Sequence, residues 1–188
     1  MMKLTYFNVR GLAETTRMLF AVNNQTGDRE EYEDFRYPLE VIDMKTHQMT
    51  KDEFDNDKSD GKLVKSLNKV PFLEVDGHVI PQSKSIERFL ARRFGLMGND
   101  EFESVHIDSI CECVRDFKDM YQKVRVAEDV DTAMNEWFTV TLIERLTLLE
   151  NLLNDNGFSV GDKLSLSDIV LYSFIPNFFD NKEAGMSA

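Results

Sequence analysis

The sequence predicts an α/β first half followed by an all-helical second half. Up to Gly95, short extended runs alternate with stretches in which apolar residues have helical spacing. Beyond Asp100, apolar side chains recur every three or four residues and no strand pattern appears. The glycine-containing segment 95–99 separates the two patterns. We therefore predict two domains, residues 1–95 and residues 100–188.

The first half begins with a βαβ pattern. Residues 4–8 predict a strand, residues 12–22 a helix and residues 31–35 a second strand. Residues 39–66 are polar, and residues 51–62 contain almost no apolar side chains. We expect this insertion to form an exposed, mobile loop.

A β-hairpin and a helix are predicted after the insertion. Asp76 and Gly77 supply a tight turn between residues 70–75 and residues 78–80, both of which have strand character. A helix then begins near Ser83. The first half therefore has the predicted order βαβ, loop, ββα.

The second half predicts three helices. The first two have apolar side chains at helical spacing. These are Phe102, Val105, Ile110, Val114, Phe117 and Tyr121 in the first helix, and Phe138, Leu142, Leu146, Leu149 and Leu153 in the second. The pair Ser165 and Asp168 resembles a capping box and marks the start of the third helix.

Composition excludes several classes of partner. Acidic residues outnumber basic ones by 34 to 22, and the net charge of -12 opposes binding to nucleic acid or anionic lipid. No apolar run approaches the roughly 18 residues that span a bilayer, so no membrane association and a cytoplasmic location are expected. Cys111 and Cys113 lack the spacing of a redox pair or zinc site, and the three histidines, His47, His78 and His106, lie far apart. We expect no metal.

Ser83 is the first of three residues that predict a binding site. It lies where the hairpin ends and a helix begins, so its hydroxyl, the exposed amides and the helix dipole favour a bound carboxylate. Gln82 can add an amide contact. A serine at this position is also an ordinary helix cap, and the residues alone leave both interpretations open.

The Val70-Pro71 pair predicts backbone recognition. A cis bond here would turn the amide and carbonyl of Val70 outward, where an extended peptide can pair with them as an added strand. A proline at the head of a strand is also a common structural feature.

Tyr6 is the third candidate, because it ends the first strand just before a turn into a helix. Functional side chains are often found at this edge of a βα unit, and the Tyr6 hydroxyl can donate a hydrogen bond to a thiolate. A tyrosine here is also typical of an amphipathic core.

The segments KLTYFNVRGLAE, NKVPFLEVDG, QSKSIERFLARRFGL, VHIDSICECVRDF and VGDKLSLSDIVLYS resemble, in this order, the sigma-class glutathione transferases. That class includes the haematopoietic prostaglandin D synthases. The resemblance implies a thioredoxin-like domain followed by a helical bundle domain. It also implies a cytoplasmic, homodimeric detoxification enzyme that conjugates glutathione, its co-substrate, to hydrophobic electrophiles. Prostaglandin isomerase or peroxidase activity is a further option of this family.

The resemblance also implies roles for individual residues. Tyr6 corresponds to the tyrosine that stabilises the glutathione thiolate. The backbone of Val70 would bind the cysteinyl part, and Lys69 and Tyr37 would lie near the glycyl end. The remaining positions are assigned to the γ-glutamyl end: Gln82 and Ser83 for its carboxylate, and Asp116 of the other subunit for its amine.

The chain departs from the family pattern in three places, of which Leu12 and a short helical domain favour alternatives. Leu12 stands where many sigma-class members have an arginine, and a leucine cannot supply that charge. The insertion at residues 39–66 lengthens the chain by about twenty residues, which usually maps to a surface loop. We also expect the helical domain to be C-terminally short. The alternatives are a glutathione-binding, weakly catalytic ligandin or crystallin-like structural protein, and a truncated product that folds poorly.

Overall fold

The chain forms two compact units, an α/β unit at Met1–Leu90 and a helical unit that begins at Ala91. The computed structural model describes residues 1–26, 29–43 and 48–175. The predicted fold class, an α/β half followed by a helical half, is confirmed. The domain limits near residues 95 and 100 stay a prediction.

Outside the insertion at residues 39–66, the strands and helices up to residue 93 occur in the predicted order. In chain order the elements are β1 (Met2–Phe7), α1 (Glu14–Thr26), β2 (Tyr32–Tyr37), β3 (Glu40–Asp43), β4 (Gln48–Thr50), α2 (Asp52–Ser59), β5 (Phe72–Val75), β6 (His78–Pro81) and α3 (Ser83–Arg93). A short 3-10 turn, Gly11–Ala13, precedes α1, and another, Val64–Ser66, follows α2. The main sheet has the order β2-β1-β5-β6. Strand β1 is parallel to β2 and antiparallel to β5, which is antiparallel to β6.

The turn between β5 and β6 confirms the predicted hairpin. Asp76 and Gly77 have φ angles of 49° and 79°. Two consecutive positive φ angles are typical of the mirror-image turn whose twist matches that of the flanking strands.

One face of the sheet packs against α1. Leu4 and Leu73 are partners across β1 and β5, and both are fully buried. Phe20 of α1 stacks on Tyr32 of β2 with ring centroids 3.8 Å apart. Since alternate residues of a strand leave opposite faces, Leu4 and Tyr6 lie on the α1 face of β1, whereas Thr5 and Phe7 lie on the other.

The polar insertion is not a loop, so that prediction was wrong. Strands β3 and β4 pair with each other, and α2 follows them. Phe54 of α2 is only 5% exposed and packs in a cluster with Tyr37, Leu63 and Phe72. Acidic residues fill the first turn of α2, where the helix dipole favours them. The insertion is therefore attached to the core by Phe54 and Leu63, and the charges at the start of α2 favour that helix. Residues 44–47 of the predicted loop lie outside the described residues.

The second unit contains the three predicted helical segments. They are α4 (Glu101–Val124), then α5 (Val130–Glu136) and α6 (Leu142–Glu150) joined by a π-helical turn at Trp137–Thr141, and α7 (Leu166–Phe174). The predicted capping box is present, because Asp168 accepts the backbone N–H of Ser165 at 2.8 Å. No helix of the described ranges is long and apolar enough to cross a membrane. The expected cytoplasmic location stays a prediction.

The predicted buried face of α4 was wrong at its start. Phe102 and Val105 are 77% and 56% exposed, whereas burial begins at Ile107 and continues to Tyr121. Each helical residue turns by about 100°, so Val105 points roughly 200° away from Ile107. The predicted apolar stripe therefore combined residues from two different faces of α4.

Candidate active site

At one edge of the sheet, β1 and β6 end and the strand between them, β5, begins. Thr5 is the partner of Phe72, and Phe72 is the partner of Pro81. Tyr6 follows Thr5, Pro71 precedes Phe72, and Gln82 follows Pro81, so all three leave the sheet at the same edge. Three strands span about 10 Å, close to the length of about 10 Å that an extended tripeptide covers. The register thus brings together Tyr6, the Val70-Pro71 bond and the start of α3.

Tyr6 is buried, and its hydroxyl oxygen has a defined partner. The backbone N–H of Leu12 donates to Tyr6 Oη at 3.2 Å. A phenol has one hydrogen to donate and lone pairs to accept with. Because the Leu12 N–H uses a lone pair, the hydrogen of the Tyr6 hydroxyl stays available for another acceptor. The Leu12 side chain itself is 58% exposed.

Gly11 lies directly against this hydroxyl. Its φ of 42° is in the left-handed region that favours glycine, and a Cβ atom at this position would lie 2.6 Å from Tyr6 Oη. The contacts of Gly11 and of the Leu12 backbone with Tyr6 were not predicted from the sequence. The one signal for them was a glycine in the turn between the first strand and the first helix.

Val70 presents unpaired backbone groups. The Val70-Pro71 bond is cis, and Val70 is half-buried. Within the described part of the chain, neither its N–H nor its C=O has a hydrogen-bond partner. Lys69 beside it is exposed and forms no ion pair with a described residue.

The start of α3 carries the predicted anion-binding groups. The carbonyl of Gln82 accepts the N–H of Ile86 at 3.0 Å, so the helix begins at Ser83 and its first amides have no helical acceptor. Gln82 has a φ of 72°, which is uncommon for a residue other than glycine. The half-buried Ser83 hydroxyl has no partner among the residues described, and it makes no capping bond to them.

Tyr37 ends β2 at the same edge, but its side chain lies in the core. It is the partner of Phe7, on the sheet face opposite that of Tyr6, and its hydroxyl donates to Asp57 Oδ2 at 2.8 Å. Burial, followed by the hydrogen bond to Asp57, raises the pKa of Tyr37 above its ordinary value. A cavity of about 860 Å³ is lined by Tyr37 and Asp57 and does not reach Tyr6 or Ser83. The role of Tyr37 at the glycyl end stays a prediction.

Asp116 lies on α4 in the second unit. Its carboxylate is exposed and lies 3.7 Å from Arg115 Nη2. Its expected contact across a dimer stays a prediction.

Cys113 also lies on α4. Burial raises the pKa of the Cys113 thiol, so this cysteine is mostly protonated near neutral pH. The described ranges hold no group of three or more histidine, cysteine or acidic side chains that could bind a metal.

Comparison with known proteins identifies the family. Residues 115–187 match the family model described as glutathione S-transferase, C-terminal domain. The chain is 32% identical to glutathione S-transferase 4 of Caenorhabditis elegans, over 95% of this chain and 81% of that protein. It is 30% identical to hematopoietic prostaglandin D synthase of Homo sapiens, over 95% of this chain and 83% of that protein. Among solved structures, a monomeric glutathione S-transferase from the hookworm Necator americanus superposes with a TM-score of 0.73 and 30% identity, over 99% of this chain and 88% of that one.

The chain belongs to the glutathione S-transferase family. This membership confirms the resemblance, the fold class and the enzyme class that the sequence predicted.

Substituting Gly11 should disturb the Tyr6 hydroxyl selectively. In Gly11→Ala the new methyl group would displace Tyr6 Oη, and we expect glutathione-conjugating activity to fall about tenfold or more. Gly77→Ala is the matched control, because Gly77 also has a positive φ but nothing lies within 4 Å of its Cβ position. Conjugation rates and melting temperatures of both variants make the comparison. Equal losses of activity would show that backbone strain, and not the contact with Tyr6, explains the effect.

Proposed function

We propose that this transferase conjugates glutathione to hydrophobic electrophiles and that Tyr6 activates the thiol. The observation that carries the proposal is the state of the Tyr6 hydroxyl. Its oxygen accepts the Leu12 N–H, its hydrogen is available, and it lies at the sheet edge that also carries Val70 and Ser83. A donor fixed in this way stabilises a thiolate without having to reorganise during the reaction.

The edge offers one type of contact for each part of the tripeptide. We infer that the γ-glutamyl carboxylate binds the first amides of α3 with the Ser83 hydroxyl and the Gln82 amide. The cysteinyl backbone pairs with the N–H and C=O of Val70 as an added strand. We infer that Lys69, which is exposed and precedes Val70, attracts the glycyl carboxylate. Tyr37 is the least supported of the assigned residues, since its hydroxyl already binds Asp57.

The reaction follows from these contacts. Glutathione supplies a sulfur nucleophile, and the thiolate form attacks far better than the thiol. The Tyr6 hydroxyl donates a hydrogen bond to the glutathione sulfur and favours loss of the thiol proton to solvent. The thiolate then forms a carbon–sulfur bond with the electrophile as the leaving group departs with the electron pair.

Replacing the Tyr6 hydroxyl tests this assignment. For Tyr6→Phe we expect the rate of conjugation to a chloronitrobenzene to fall about a hundredfold, because one oriented donor to the reacting atom is lost. Glutathione should still raise the melting temperature of the variant, because the groups at Val70 and Ser83 are intact. Tyr172→Phe removes the hydroxyl of an exposed tyrosine on α7 and is the control.

Three outcomes of this experiment separate the alternatives. A wild-type rate that survives in Tyr6→Phe would refute the role of Tyr6. Thermal stabilisation by glutathione without any wild-type rate would favour the ligandin or crystallin-like alternative. An absence of both would leave the poorly folded product as the explanation.

A second candidate reaction is the isomerisation of prostaglandin H. The identity to human hematopoietic prostaglandin D synthase favours it. We infer that it would use the same thiolate. Assays of the wild type and of Tyr6→Phe with prostaglandin H and glutathione measure this reaction directly. If the wild type forms no glutathione-dependent product, this candidate is refuted.

We propose in addition that two copies pair and that Asp116 of one copy serves the site of the other. Support comes from the exposed apolar side chains Phe102 and Val105 at the start of α4, since exposed apolar patches often mark interfaces. Light scattering should give twice the single-chain mass of 21.8 kDa. Phe102→Ser should weaken the dimer, whereas Val126→Ser, at an 81% exposed position outside α4, should not. A monomeric wild type would contradict the proposal.

Introducing a cation at position 12 should strengthen thiol activation. The Leu12 side chain is exposed, so Leu12→Arg can be tolerated without losing the backbone bond to Tyr6. A positive charge near the thiolate should lower the pKa of bound glutathione by about half a unit to one unit. We expect a higher conjugation rate below neutral pH, measured as a pH profile against the neutral control Leu12→Gln. Identical profiles for the two variants would mean that charge at this position does not act on the thiol.

A further inference from the structure

Arg17 of α1 binds the turn that carries the partner of Tyr6. Its Nη1 atom donates to the carbonyl of Val9 at 2.9 Å and to that of Arg10 at 3.3 Å. On its other side, Nε and Nη2 donate to the two carboxylate oxygens of Asp34 on β2, at 3.1 Å and 3.4 Å. Glu14 adds a further contact at 3.4 Å. One guanidinium therefore joins the turn to the sheet.

This contact is built into the unit and is not a loose surface pair. The Arg17 side chain is 11% exposed and that of Asp34 is 18% exposed. Arginine suits the position because its planar fork can grip a carboxylate with two N–H groups while another faces the carbonyls. A lysine ammonium has neither that span nor that fixed geometry.

The turn also has attachments at its two ends, and at the second the Ala13 N–H donates to the Arg10 carbonyl at 3.3 Å. Asn8, at its start, is fixed by the bond from its N–H to the Tyr37 carbonyl at 3.0 Å and by the bond from the Leu39 N–H to its side chain, also at 3.0 Å. The next two residues, Val9 and Arg10, are both exposed, and Arg17 holds their carbonyls. Gly11 and Leu12 follow at once, so the position of the Leu12 N–H depends on where these carbonyls are held.

We propose that Arg17 is a positioning residue for thiol activation, acting on Tyr6 through the turn at residues 9–12. The proposal rests on the proposed function for its catalytic consequence. Arg17 holds the turn, the turn places the Leu12 N–H, and that N–H fixes the direction in which the Tyr6 hydroxyl donates. Without Arg17 the turn is free to shift, and a hydroxyl that no longer points at the sulfur stabilises the thiolate less.

The test replaces Arg17 by methionine and by lysine and measures amide exchange at Leu12, the pKa of bound glutathione and the steady-state kinetics. First, we expect Leu12 amide hydrogen exchange to be about tenfold faster in ligand-free Arg17→Met, because the turn opens more often. Second, the pKa of bound glutathione, followed by thiolate absorbance, should rise, and kcat should fall about tenfold with the KM for glutathione within twofold. Arg17→Lys should lie between the wild type and Arg17→Met.

Two further variants separate positioning from general stability. Asp34→Asn removes the anchor on β2 but leaves the carbonyl bonds, so it should shift the thiol pKa in the same direction by less. Arg36→Gln is the matched control, because Arg36 also pairs with Asp34 but lies on the exposed rim and has no bond to the turn. Arg36→Gln should leave amide exchange at Leu12 and the pKa of bound glutathione unchanged. If Arg17→Met fails to fold, Arg17→Lys and Asp34→Asn provide the same comparison.

The outcomes distinguish this proposal from the proposed function. A lower melting temperature with unchanged Leu12 exchange and thiol pKa would overturn it, leaving Arg17 a purely structural residue. Faster exchange with an unchanged thiol pKa would overturn the link to Tyr6. If the wild type neither binds nor conjugates glutathione, the proposed function fails, and the exchange measurement alone still decides whether Arg17 holds the turn.

Discussion

Thr5, Phe72 and Pro81 are aligned across three strands, and this register brings Tyr6, the Val70-Pro71 bond and the start of α3 to one edge of the sheet. A slip of one residue would turn each side chain of a strand to the other face. Tyr6 would then leave the face on which Leu12 meets it. The two-residue turn at Asp76 and the fully buried pair Leu4 and Leu73 both oppose such a slip.

The two faces of the sheet divide the work. The α1 face carries Tyr6 and, through Arg17, the ion pair with Asp34 on β2. The opposite face carries the aromatic cluster around Phe54, which attaches α2 to the sheet. Tyr37 belongs to this second face, which explains why its hydroxyl satisfies Asp57. Tyr37 therefore ends its strand at the same edge as Tyr6, but its side chain packs in the core.

Local signals were sufficient to predict where elements begin and end. Tyr6 lies next to the end of β1, Val70 and Pro71 come just before β5, and Ser83 opens α3, as the short patterns predicted. The roles of these residues in binding stay predictions. The contact between Arg17 and Asp34 could not be predicted, because it depends on which strands pair and in which register. Helix α2 was missed because it spans only Asp52–Ser59 and buries one phenylalanine, too little for a periodic pattern.

The acidic composition of the chain constrains how the site can stabilise a negative sulfur. Most cations near the edge are already paired: Arg17 and Arg36 with Asp34, Arg10 with Glu14, and Lys84 with Glu87. Lys69 forms no ion pair with a described residue, and it lies at the distal end from Ser83 in the proposed binding mode. In the proposed binding mode, stabilisation of the thiolate therefore comes mainly from oriented dipoles, namely the Tyr6 hydroxyl and the Leu12 N–H behind it. Dipoles fixed at short range are screened by salt much less than separated surface charges are. They are, however, effective only if their directions are fixed. The proposed role of Arg17 is to fix them by binding the carbonyls of the turn at residues 9–12.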